Sequence, residues 1–160
     1  MARITTNTSG TQPVIKIAYQ GANLADANVT LTIPYLQDVT ITNSTGVYAY
    51  TDFSDTDQRK LSTPADNKLG TNIIVDSITY FGNAAGTINT AVKDGIAVLS
   101  VNKVPLSFEV YWNGTTTGAY TYTGNGFITN LAPKTTPTQP VWITPLEIAV
   151  DGSYQVGTVS

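Results

Sequence analysis

The sequence predicts a mainly β fold, a sandwich or barrel with one short flanking α-helix. β-Branched and aromatic residues recur at alternate positions, as in TNIIVDSITYFG and PLSFEVYW. Turn pairs such as Asn113-Gly114 and Asp151-Gly152 separate these runs. One stretch alone, 84–93, carries apolar residues at helical spacing.

The organising segment is 71–112. Ile73, Ile74, Val75, Ile78, Tyr80 and Phe81 are read as a strand, IAVLSV and PLSFEVYW as two more. Phe108, Val110 and Trp112 fall on one face of the last, with Glu109 and Tyr111 opposite. Between the strands, Ala84 or Ala85, Ile88, Ala91 and Val92 form a short amphipathic helix, with Asn83 as its cap and Gly95 as its φ > 0 exit. Gly86 and the Thr and Asn positions inside it are poor helix formers, so packing must hold it.

Residues 1–13 are read as a polar arm and 14–152 as a single domain, with 153–160 a terminal strand or arm. Val14 to Gln20 forms a first strand, NVTLTI and QDVTIT are short strands interrupted by Pro34, and NSTG turns into GVYAYTDF. The charged segment 54–70 is longer than ordinary loops and is read as a functional or disordered loop. TTTGAYTYTGNGFITNL gives one or two strands around a Gly-Asn-Gly bend, and APKTTPTQP is a connection. VWITPLEIAV is the last long strand, and Asp151-Gly152 suits a type I′ turn.

Composition limits the chemistry. The 160 residues suffice for one core, and no run of about eighteen apolar residues occurs. MARITTNTSGTQPVIKIAYQ lacks the apolar stretch of a secretion signal. Absence of both Cys and His removes disulfides, thiolate sites, the commonest metal ligand and the usual neutral-pH base, which argues against an enzyme. Charged residues are 12% of the chain and the net charge is −3, with no basic cluster for nucleic acid. So neutral a surface suits a chain that assembles, or a secreted domain with a plain polar surface.

Among the carboxylates, Asp52, Asp55 and Asp57 cluster in DFSDTD, but their spacing does not match a calcium loop. Glu109 and Glu147 would be paired acids of a glycosidase only if their strands were neighbours; otherwise they lie on solvated strand faces. No cofactor motif is present: YTGNGF lacks the GxGxxG and GxxxxGK patterns.

The series DSITYFG, a helix with Ala91 and Val92, IAVLSV, SFEVYWNG, GFITNL, a Thr/Pro connection and PLEIAVDG resembles the major tail tube protein of long-tailed bacteriophages, over about 47–152. The resemblance implies a non-enzymatic virion protein whose hexameric rings pair sheet edges and stack into a hollow tube. It also implies tape-measure, tail-terminator and tail-tip partners, no membrane partner, and DNA passing an acidic lumen without specific binding. On this reading Glu109, Glu147, Asp38 and Asp76 line the lumen. Asp55, Asp57, Arg59 and Lys60 then make the inter-ring contact, and Ile88, Val92 and Lys93 the lateral interface. A capsid decoration protein or Ig-like adhesive domain is the alternative. A hydrolase using Glu109 and Glu147 is the third reading.

Overall fold

The computed structural model describes residues 10–19, 29–51, 53, 57–82 and 94–160. Eight strands form one antiparallel sheet: β1 (Val14–Tyr19), β2 (Val29–Ile33), β3 (Thr40–Tyr50), β4 (Arg59–Ile74), β5 (Leu106–Tyr111), β6 (Tyr120–Leu131), β7 (Lys134–Thr136) and β8 (Gln139–Thr158). Among the described residues two short helices, α1 (Ser77–Phe81) and α2 (Ile96–Val101), interrupt the strand series. The strands run in the order β2-β1-β5-β6-β8-β4-β3, with β7 paired to β8.

The sheet curls back on itself. After β2 the chain bridges to β4 at Leu36 and Ile73. Gln37 N–H donates to Asn72 O at 2.8 Å and Ile74 N–H to Tyr35 O at 3.3 Å. This join brings β2 to β4 and leaves β3 outside the closure.

Alternation dictates which side chains fill the interior. β1 buries Ile15, Ile17 and Tyr19; β2 buries Val29, Leu31 and Ile33; β5 buries Leu106, Phe108 and Val110. Register carries the same face across the sheet, pairing Ile17 with Phe108, Ile128 with Ile148, and Ile148 with Leu69. Gly124 opposes Phe108, and a Cβ there would meet the Phe108 ring at 2.8 Å, so the ring occupies the space a side chain would need. Tyr80 of α1 and Ile96 and Leu99 of α2 complete the core.

Several elements differ from the sequence expectation, each for a local reason. The run SITYF is helix α1, not the end of a strand, because Asp76 caps it by accepting from Thr79 N–H at 3.0 Å. The run IAVLSV is helix α2, not a strand: Ile96 and Leu99 are buried three residues apart while Val101 is exposed. Short apolar runs satisfy either period, and tertiary contacts chose the helix. Gly95 is not a left-handed exit, since its φ is −82°; a Cβ there would meet Tyr80 O at 2.3 Å, so it is glycine for close approach to α1. The helix expected over 84–93 lies outside the described residues.

The charged segment 54–70 is strand from Arg59 onward, because β3 pairs with it along its length. Pro64 is tolerated there because the register shifts between Thr45 and Val47, a bulge that needs no ladder donor from proline. NSTG is likewise strand, with Gly46 lying directly against Thr63. The segment APKTTPTQP contains β7, which folds back on β8. Asp151-Gly152 is no hairpin turn: β8 continues to Thr158, and Gly152, at φ 87°, sits where the register with β6 shifts.

Phe108 is 1% exposed and contacts Tyr154 edge to face at 6.0 Å. Truncation in Phe108→Ala is expected to cost about 3–5 kcal/mol, read as a lower urea midpoint with an unchanged slope.

Candidate assembly interface

Three surfaces stand out once the core is filled. The first is an arm. β4 pairs with β8 only over Lys68–Ile74, so residues 59–67 extend with β3 as a two-stranded ribbon. Register places Tyr48 opposite Leu61 and Tyr50 opposite Arg59 on one face, with Ala49 opposite Lys60 and Val47 opposite Ser62 on the other. Tyr48 is 61% and Leu61 55% exposed, and Tyr48 and Tyr50 stack at 6.2 Å. A two-stranded ribbon in water is marginal by itself, and this one carries large apolar groups without a third layer. Arg59 and Lys60 lie at its end and Asp57 just before it, all exposed. Asp55 lies outside the described residues, as do Ile88, Val92 and Lys93.

The second surface is the outer face of β1, β5, β6 and β8. Cross-strand rows run Lys16–Glu109–Thr123–Gln155 and Ala18–Ser107–Asn125–Asp151. Hydroxyls and amides dominate because only alternate residues point to the core. Tyr111 Oη donates to Glu109 Oε2 at 2.5 Å, and Lys16 Nζ lies 4.9 Å from the centre of the Tyr111 ring. Glu147 lies on the same outer side of β8, 3.5 Å from Lys68 Nζ, in a half-exposed pair that contributes little to stability. Asp151 shares this face, although its Asp-Gly sequence reads as a turn.

Glu109 and Glu147 are not on neighbouring strands. β6 lies between them, and they oppose Thr123 and Asn130, roughly 20 Å apart along that strand at about 3.3 Å per residue. Paired glycosidase carboxyls need about 5–10 Å. Among the described residues no three His, Cys, Asp or Glu side chains group as a metal site.

The other two acidic residues have local partners. Asp38 accepts from Asn72 N–H at 2.8 Å and from Asn72 Nδ2 at 2.5 Å, while its own carbonyl accepts from Thr71 Oγ1. These bonds fasten the β2–β3 connection to β4. Asp76, besides capping α1, accepts from Thr79 Oγ1 at 3.2 Å.

The third surface is a cleft of about 760 Å³ at the ends of β1, β2 and β5. Tyr35, Leu36, Val39, Tyr111 and Trp112 are among its walls. Tyr35 is 64% exposed with φ 53°, a conformation unusual for a bulky residue, directly after Pro34. Trp112 stacks on Tyr122 at 5.5 Å, and Tyr122 meets Tyr154 at 5.6 Å, which ties the cleft wall to the core around Phe108.

Burial raises the pKa of Tyr19, and two further tyrosines hold their protons more tightly still. The Glu109 carboxylate bonded to its hydroxyl, aided by partial burial, pushes Tyr111 up to about 12. Burial, with a smaller effect from Tyr122, pushes Tyr154 up to about 12; its hydroxyl donates to Lys68 O at 2.5 Å. Both values exceed the ordinary 10.0, so the unfolded chain loses these protons first as pH rises. Their stabilising contribution is complete below about pH 10 and disappears between there and about 12. Urea titrations across this window are expected to show falling stability, with a smaller fall in Tyr111→Phe.

No protein-family model matches the sequence, and no curated protein matches it either. Solved structures do. A chain of the SPP1 tail tube superposes with a TM-score of 0.59 at 8% identity, covering 94% of this chain and 78% of that one. A chain from the tail of an empty GTA particle with C6 symmetry gives 0.57 at 11% identity, covering 89% and 95%. One from the 6-fold symmetrised baseplate of the anti-feeding prophage gives 0.54 at 9% identity, covering 98% and 99%. The chain has the fold found in these chains of tail and baseplate particles.

Proposed function

We propose that this chain is a structural subunit of a phage tail tube, assembling as stacked hexameric rings around a channel through which DNA leaves the virion. The observation that carries this reading is the arm: among the described residues it is a two-stranded ribbon with Tyr48, Tyr50 and Leu61 exposed, the kind of apolar surface that a partner molecule covers. The shared fold, drawn from particles with sixfold symmetry, supports the same reading.

In the assembly, β2 beyond its join to β4 and the outer edge of β3, each paired with one strand among the described residues, continue the sheet into neighbouring subunits, which removes the hazard of exposed edges by closure. The arm, with Asp57, Arg59 and Lys60 at its end, makes the contact between rings. Ile88, Val92 and Lys93, with Asp55, belong to the proposed contacts by sequence alone. The outer face of β5, β6 and β8 lines the lumen, presenting Glu109, Glu147 and Asp151 among uncharged hydroxyls and amides. Asp38 and Asp76 keep their negative charge but lie off these rows, on the β2–β3 connection and at the start of α1. An acidic, hydrogen-bonding wall repels the phosphate backbone, and the cations beside it, Lys16 and Lys68, lie against Tyr111 and Glu147 rather than in a basic cluster. A tape-measure protein would fill the channel during assembly, with terminator and tail-tip proteins at the ends, and the subunit performs no catalysis.

Negative-stain electron microscopy of the purified chain over a range of concentrations is expected to show hollow stacked rings of six. Particles that remain monomeric throughout would count against the tube, and trimers binding capsids would favour a decoration protein. In assembled tubes, Glu109→Lys with Glu147→Lys is expected to retain duplex DNA at low salt and release it as salt rises, while the unmodified tube retains none.

A further inference from the structure

The arm needs a receptor, and the same chain supplies a matching cleft. We propose that the cleft walled by Tyr35, Leu36, Val39, Tyr111 and Trp112 is the socket for the β3–β4 arm of a second copy; this rests on the tube reading above. Three observations converge on it.

The first is complementary chemistry. The arm presents Tyr48, Tyr50 and Leu61 on one face, and the cleft, of about 760 Å³, is walled largely by apolar and aromatic side chains with room for several large groups. The second is charge. Asp38 is the one charged residue among the described cleft walls and its hydrogen-bond partner is a neutral amide, while exposed Lys60 places a positive charge on the arm, with Asp57 three residues before it. The third is preorganisation. Tyr35 is held outward in a left-handed conformation, and Trp112 is braced by Tyr122, so two aromatic anchors stand ready at the mouth.

Arm and socket are different surfaces of one chain, so the contact is heterologous and propagates from copy to copy, as a growing tube requires. Both surfaces expose apolar area on the monomer, and joining them removes both from water at once.

The chain has no cysteine, so introduced thiols report proximity without background. The test is oxidative cross-linking of assembled tubes of the double variant Tyr35→Cys/Tyr48→Cys, with each single variant as control. The expected result is a ladder of covalent oligomers from the double variant and none from either single one. A second pair, Gln37→Cys/Leu61→Cys, uses other exposed positions in case the first disturbs folding. Intact tubes without a ladder from either pair overturn the socket and leave the tube standing. Dimers from Tyr48→Cys alone show arms packing on each other and also overturn it. Chains that stay monomeric by electron microscopy overturn the tube reading, and the socket with it.

Discussion

Backbone pairing along β8 is the constraint on which the rest depends. This strand of 20 residues bonds to β6 and then β7 on one side and to β4 on the other. It therefore joins the half of the sheet that holds β1, β2 and β5 to the half that holds the arm. Because β4 outruns its pairing with β8, the fold leaves a ribbon that only one neighbour strand supports. A globular monomer gains nothing from such a ribbon. On the proposed tube function the ribbon gives the subunit a contact whose burial is deferred until a partner arrives.

The division between the sheet's two faces has the same economy. Inward positions are filled by Ile, Leu, Val and Phe to native depth, while outward positions carry Thr, Ser, Asn and a few charges. Low charge would ordinarily threaten solubility, yet under the proposed tube function it suits a wall past which a polyanion slides. The Tyr111–Glu109 bond and the Lys16 contact fix side chains on that wall without creating a cluster of positive charge.

The fold class was legible, since period-two alternation in VIKIAY, VTLTI, LSFEVY and PLEIAV survives in the observed strands. Its failures are equally instructive. SITYF and IAVLSV are β-rich in composition but helical in fact, because an Asp76 cap and a close approach at Gly95 outweigh weak propensity in short runs. The stretch 59–66 looked like a loop because both its faces meet solvent and no alternation results, whereas the buried alternation of β4 begins at Asn67 and Leu69. Glu109 and Asp38 are visible as acids in any reading, but that one anchors a tyrosine hydroxyl and the other fastens a connection depends on residues far away in sequence.

The sequence by itself determined the β-class fold, the excluded chemistry and the inward residues of the well-patterned strands, because side-chain alternation and the lack of Cys and His are local facts. Only the tertiary structure decided the strand order, the closure through Leu36 and Ile73, the projecting arm and the cleft beneath Tyr35. These rest on hydrogen bonds and contacts between residues that are distant in the chain, and no periodicity within a segment encodes which other segment it will meet.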